Sequence, residues 1–169
     1  DRLDVAKMYL ETFMQAVRFA KKLEFSNVGW GDAEITIFAK ALVYCSELHI
    51  LDLSGNRFGR EGAEALAAAL PECHSLSSIY FYDCKMGGAA ISALAPAFSF
   101  LSGVAHLGLT NNDIGKDKES IAIPALIAAF GADTKIDQVN LNVNNLTAEQ
   151  KSALKSAWMA SGKHEERLS

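Results

Sequence analysis

A fixed step leaves this chain few folds to choose from. The first strand position of successive units falls at Ala20, Leu48, Leu76, Val104 and Ile136, with steps of 28, 28, 28 and 32 residues. A step held constant over three intervals means that one structural unit is repeated, and self-similarity at periods of about 20–50 residues marks a stacked architecture. The unit is clearest in the stretch LHILDLSGNRFGREGAEALAAAL, from Leu48 to Leu70. Leu48, Leu51 and Leu53 point inward from a short strand, Asn56 sits in a tight turn, and Phe58, Gly62, Ala63, Leu66, Ala67 and Leu70 recur at helical spacing. The asparagine supplies hydrogen bonds to a turn that has no ladder of its own. A strand, a turn and one amphipathic helix cannot bury their apolar face alone, so the units must stack.

The other units carry the same pattern with local departures. The third runs Leu76, Ile79, Phe81, Cys84, Met86, Ala90 and Leu94, with Cys84 a weak donor in the asparagine slot. The fourth runs Val104, Leu107, Leu109, Asn112 and Ile114; four extra residues around Lys116 to Ser120 then push its helix on to Ile121, Ile123, Leu126 and Phe130. The fifth runs Ile136, Val139, Leu141, Asn144 and Leu146. The first, with Ala20, Leu23, Phe25, Val28 and Trp30, lacks the asparagine. On these residues the chain resembles the leucine-rich repeat family, in its long, helix-containing, ribonuclease-inhibitor-like form, over roughly residues 20 to 160. The resemblance implies an α/β fold: a short right-handed solenoid of about five strand-turn-helix repeats, parallel sheet on the concave side and helices on the convex side.

Residues 1–169 read as one domain, with half the residues apolar. Leu3, Ala6, Leu10, Phe13, Met14 and Val17 share one helical face, so residues 1–19 are expected to form an N-terminal capping helix over the open end of the core. Asp32 is expected to cap the first repeat's helix, and Thr147 with Gln150 forms a capping box for the last, which Gly162 ends. Pro96 is expected to shorten or kink the third helix, whereas Pro124 falls in the first turn of the fourth. Trp158 and Met159 either close the far end of the stack, the favoured reading, or dock a partner. Residues 161–169 form a charged tail, frayed from Lys163 onward.

A net charge of −4 without a basic run argues against nucleic acid as the main partner, and no apolar run is long enough for a spanning helix. Three cysteines are too few for a disulfide framework and suggest a reducing, intracellular setting. A cleaved targeting sequence before Asp1 is left open. Cys45 and Cys73 occupy the same slot in adjacent units, where a disulfide is conceivable but two stacked, buried thiols are favoured. His49, His74, His106 and His164 fall in no metal-ligand pattern, and neither a phosphate-binding loop nor a nucleophile elbow is present. Neither an enzyme nor a cofactor is expected.

What the chain offers is a surface. The residues alternating with the buried leucines project from the concave face, and across the middle of the strands they read Glu24, Asp52, Tyr80, Gly108 and Asn140. Tyr80 and Tyr82 stand out as an aromatic anchor with room beside them at Gly108; Glu24, Asp52, His106, Thr110, Asn140 and Asn142 complete the expected partner-binding face. Tyrosines also simply fit pleated surfaces. His106, if placed beside a carboxylate, would make binding pH-dependent. The inserted loop places Lys116, Asp117, Lys118 and Glu119 on the rim, as a second contact or as a solvated loop. The expected function is a protein-interaction module or adaptor subunit. The resemblance adds, as an alternative, a regulator of an enzyme, a GTPase or an actin filament, since relatives of this repeat type act by holding such partners.

Overall fold

The computed structural model describes residues 12, 15–101, 103–116, 121–131 and 135–169. Five three-residue strands, β1 (Lys22–Glu24), β2 (Ile50–Asp52), β3 (Ser78–Tyr80), β4 (His106–Gly108) and β5 (Gln138–Asn140), form one parallel sheet in chain order. The helices α1 (Asp32–Leu42), α2 (Arg60–Ala69), α3 (Gly87–Phe98), α4 (Ala122–Gly131) and α5 (Ala148–Ala160) follow the strands one by one. Register follows the repeat step residue for residue: Leu23 lies beside Leu51, Leu51 beside Ile79, Ile79 beside Leu107, and Leu107 beside Val139. These central residues point into a continuous core against the helices, where Leu66, Leu94 and Leu126 are fully buried. The four-residue insertion before α4 leaves the β4–β5 register intact.

The asparagine slot works as a staple between neighbours. Asn56 Nδ2 donates to Phe25 O of the preceding unit at 2.7 Å and to Leu53 O of its own at 2.9 Å. Asn112 Nδ2 repeats this on Phe81 O and Leu109 O, and Asn144 Nδ2 on Leu109 O and Leu141 O. Cys84 fills the slot as a weak donor, its Sγ 3.4 Å from Leu53 O. The first unit, without an asparagine, lies at the end of the stack, where Phe25, Trp30 and Phe38 pack their rings together at centroid distances of 4.9 to 5.4 Å.

Each turn also needs a left-handed residue. The slot is held by Asn27, Gly55, Asp83, Asn111 and Val143, with φ of 57°, 72°, 55°, 60° and 58°. Four of the five are types that tolerate that region; Val143 is β-branched, 68% exposed, and strained there.

Several local expectations are corrected. The N-cap of α1 is Gly31, and the Asp32 carboxylate reaches the next unit instead, where Oδ1 accepts from Gly59 N at 2.9 Å and Gly62 N at 2.7 Å. Pro96 does not end α3, which continues to Phe98. Ile121 is 41% exposed and precedes α4, where Ala122 turns inward in its place. The tail is folded: Glu165–Arg167 form a short 3-10 helix, Leu168 bridges Val139 in parallel, and Ser169 N donates to Val139 O at 3.0 Å. Trp158 is thereby sealed, its ring edge-on to Phe130, its Nε1 donating to His164 O at 2.8 Å, and Lys163 Nζ 4.5 Å from its ring centre. Met159 stays half exposed. The Thr147–Gln150 capping box, the Gly162 stop with φ of 79° and the first-turn position of Pro124 are as the sequence predicts. Most of the expected N-terminal helix lies outside the described residues.

Candidate functional site

The strand register sets Glu24, Asp52, Tyr80, Gly108 and Asn140 side by side across the open face of the sheet. Tyr80 and Tyr82 stack, with ring centroids 5.4 Å apart and planes 26° from parallel. Both are half-buried rather than fully exposed, because the Tyr82 ring lies down over Gly108. A Cβ at Gly108 would come 2.3 Å from Tyr82 Cε1, so the glycine is what allows the ring to lie there. Burial pushes the Tyr82 hydroxyl pKa up, with smaller contributions from Tyr80 and from the Asp52 charge; it is a neutral donor at physiological pH.

Hydrogen bonds hold the surrounding groups. Asp52 Oδ1 accepts from Ser54 N at 2.9 Å, and Ser54 Oγ accepts from Tyr82 N at 3.1 Å, so the acidic residue is tied through the serine to the aromatic one. On the other side Thr110 Oγ1 donates to Asn140 Oδ1 at 2.7 Å, which also accepts from Asn142 N at 3.1 Å. His106 Nδ1 lies 3.2 Å from Gln138 Oε1, so its neighbour is an amide and not the carboxylate that a pH switch requires. At the first strand Glu24 is paired with Lys22 at 2.8 Å, both about half exposed, a contact of little energetic weight. A hollow of about 130 Å³ opens beside the tyrosines, lined by Tyr80, Tyr82, His106, Leu107, Gln138 and Asn140. It has room for the end of one side chain.

The structure thus brings Asp52, Tyr80, Tyr82, His106 and Asn140 into one patch, with Thr110 and Asn142 supporting its polar side and Glu24 at its acidic edge. Two participants lay outside the expected set. Gln138 holds His106, and Ser54 connects Asp52 to Tyr82; the repeat step alone puts both on the open face. On the rim Lys116 Nζ pairs with Asp113 at 2.8 Å, and Asp117, Lys118 and Glu119 lie outside the described residues. Among the described residues, no group of three or more His, Cys, Asp or Glu is placed to hold a metal ion. Cys45, Cys73 and Cys84 are buried, unbridged thiols, and burial is the main cause that pushes Cys73 and Cys84 up to about 12.

Comparison with known proteins adds a match to one of the repeats. A family model described as Leucine Rich repeat matches residues 44–67, the turn-and-helix core of the second unit whose pattern the whole sheet repeats. The fold is that of a leucine-rich repeat solenoid. Each of its repeats sets one strand of the sheet before one helix. No curated protein sequence matches it. Among solved structures, this repeat protein is similar to one described as "Leiomodin-1 Actin-Binding Site 2 (ABS2)", with a TM-score of 0.71 and 13% identity over 88% of this chain and 87% of that one. It is also similar to a tropomodulin C-terminal domain from Caenorhabditis elegans, with a TM-score of 0.70 and 11% identity over 90% of this chain and 92% of that one. At these identities the likeness is one of fold. None of the helices among the described residues is long and apolar enough to cross a membrane.

Proposed function

We propose that this leucine-rich repeat protein is an interaction module that holds a protein partner against its concave sheet, with Tyr80 and Tyr82 as the anchor, and that it does so inside the cell and without catalysis. The observation that carries this reading is the tyrosine pair itself: two stacked rings at the centre of the sheet, given room by a glycine, beside a polar hollow. Rigid aromatic side chains with a polar tip contribute disproportionately to binding because little entropy is lost on fixing them. The buried, protonated thiols fit a binding role better than a nucleophilic one, since the reactive form of cysteine is the thiolate.

The test is capture of a partner from the protein's source by wild type and by Tyr80→Ala/Tyr82→Ala. The double variant should keep its fold, because neither ring belongs to the core, and lose about tenfold or more in affinity. Gly108→Ala gives an independent reading, since it displaces the Tyr82 ring without deleting it and should weaken capture in the same direction. Unchanged capture by both variants would put the interface elsewhere.

A second reading is favoured by the two solved structures, one of which is described as an actin-binding site. Under it the partner held is an actin filament, and sedimentation with filamentous actin at low and physiological salt would separate it from an adaptor role. Regulation of an enzyme or GTPase, the other form of this alternative, would appear as a changed turnover rate of the captured partner.

A further inference from the structure

On the open face of the sheet an aliphatic residue, a carboxylate and an aromatic pair come together at one place. Ile50 and Asp52 lie two residues apart on β2 and so point to the same side. Register sets Tyr80 directly beside Asp52, and Ser78 beside Ile50. Ile50 is half-buried and is the aliphatic exception on this face, since the outward positions of the other strands hold polar, aromatic or glycine residues. Apolar surface, negative charge and stacked rings are therefore offered to one guest.

The carboxylate has no counter-charge of its own. Lys22 and Glu24 of β1 pair with each other, whereas Asp52 enters no ion pair among the described residues. Its orientation is nonetheless fixed, because Oδ1 accepts from Ser54 N at 2.9 Å, and Oδ2 meets no donor among the described residues. The Asp52 charge reaches the aromatic pair, being one of the causes that raise the Tyr82 hydroxyl pKa after burial. The hollow on the other side of the tyrosines has no carboxylate in its lining, so a positive guest finds its counter-charge on the β2 side. An anion laid on the rings would face the Asp52 charge uncompensated.

Resting on the reading of the concave face given above, we propose that the group seated between Asp52 and the tyrosine pair is an arginine side chain of the partner protein. Its aliphatic stem lies along Ile50, its guanidinium stacks against the Tyr80 ring, and its N–H groups donate to Asp52 Oδ2. Long cationic side chains cover apolar surface with their stems while the charged head reaches a polar partner. A planar guanidinium both stacks on aromatic rings and forks onto a carboxylate, which the compact and strongly hydrated ammonium of lysine does less well. Ser54 holds the carboxylate in place before the guest arrives, so little freedom is lost on binding.

The experiment is a titration of the isotope-labelled full chain with the peptide acetyl-GRG-amide at low salt, alongside matched peptides in which lysine or citrulline replaces the arginine. Citrulline keeps the shape of the side chain and removes its charge. Expected are saturable shifts of the Ile50 δ1 methyl and of the Tyr80 and Tyr82 ring signals, with a Kd of about 10 mM or below. The lysine peptide should bind about twofold or more weakly, and the citrulline peptide about fivefold or more weakly. Asp52→Asn keeps an oxygen for Ser54 N and should weaken the arginine peptide about threefold or more. Absence of shifts at about 50 mM peptide, shifts centred on His106 and Gln138, citrulline binding as well as arginine, or unchanged affinity in Asp52→Asn would each overturn the assignment. Partner capture tells its failure from that of the broader reading. Capture lost in Tyr80→Ala/Tyr82→Ala but undiminished in Asp52→Asn sinks the arginine and leaves the tyrosine anchor standing; capture undiminished in both removes the anchor, and the arginine seat with it.

Discussion

At the scale of single residues, the departures from the repeat are where energy is stored or lost. Val143 holds a left-handed conformation for which the other units use Asn, Gly or Asp, and its exposed side chain gains little packing in return. Val143→Asn is therefore expected to stabilise the fold by about 1 kcal/mol, read as a higher denaturant midpoint at unchanged slope. A lower midpoint would mean that the valine has packing value after all. The buried thiols make a pH-dependent contribution whose sign is fixed. Cys73 and Cys84 titrate at about 12 in the fold, with burial the main cause, against an ordinary value of 9.0. Each favours folding fully below pH 9, and that contribution falls away as pH rises from 9 towards 12, because the unfolded chain releases the proton first. Melting temperature should drop across that window, and Cys73→Ala/Cys84→Ala should flatten the drop even though it lowers stability at neutral pH. An equally steep profile in the double variant would assign the alkaline loss to other groups.

At the scale of elements, the caps that join neighbours matter more than those within a helix. The Asp32 carboxylate accepts from Gly59 N and Gly62 N, so it closes the first turn of α2 from the preceding unit. Asp32→Ala should cost about 1–2 kcal/mol, typical of a lost N-cap. Hydrogen exchange should place the opening at the start of α2 and not in α1; protection lost in α1 would restore the conventional role. This is also where sequence reading reached its limit. Strand positions and register were legible because the period is 28 residues and Leu23, Leu51, Ile79, Leu107 and Val139 mark it without ambiguity. The tyrosine patch followed from the same alternation. The partner of Asp32 was not legible, since an N-cap pattern looks only a few residues ahead and the groups it serves lie 27 and 30 residues away. The lie of Tyr82 over Gly108 was only half legible: the glycine announced space, but not that the ring would fill it. The charged tail misled for a related reason, because its composition is that of a frayed end and its contacts are made by backbone groups that composition does not report.

At the scale of the whole molecule, a stack in which each unit touches only its neighbours has a stability that is close to a sum of units and interfaces, so its ends decide how it opens. The C-terminal end is closed by residues 163–169. They supply the acceptor for the Trp158 indole at 2.8 Å, the Lys163 contact over its ring, the Arg167–Asp137 pair at 3.6 Å and the parallel bridge from Leu168 to Val139. Removing them uncovers Trp158 and leaves the indole N–H without its partner in the fold. We expect loss of about 2–4 kcal/mol. The one-dimensional architecture adds a location to that number: exchange protection should fall in α5 and β5, while β2, β3 and the Asn56 staple keep theirs. Trp158→Phe in the full chain separates the two contributions, since it keeps most of the ring packing and removes the N–H, and should cost about 1 kcal/mol. If the truncated chain melts with the wild-type midpoint, the tail contributes nothing to the closing of the core. If protection is instead lost evenly along all five strands, the stack opens as one cooperative body, and the neighbour-only picture fails for this protein.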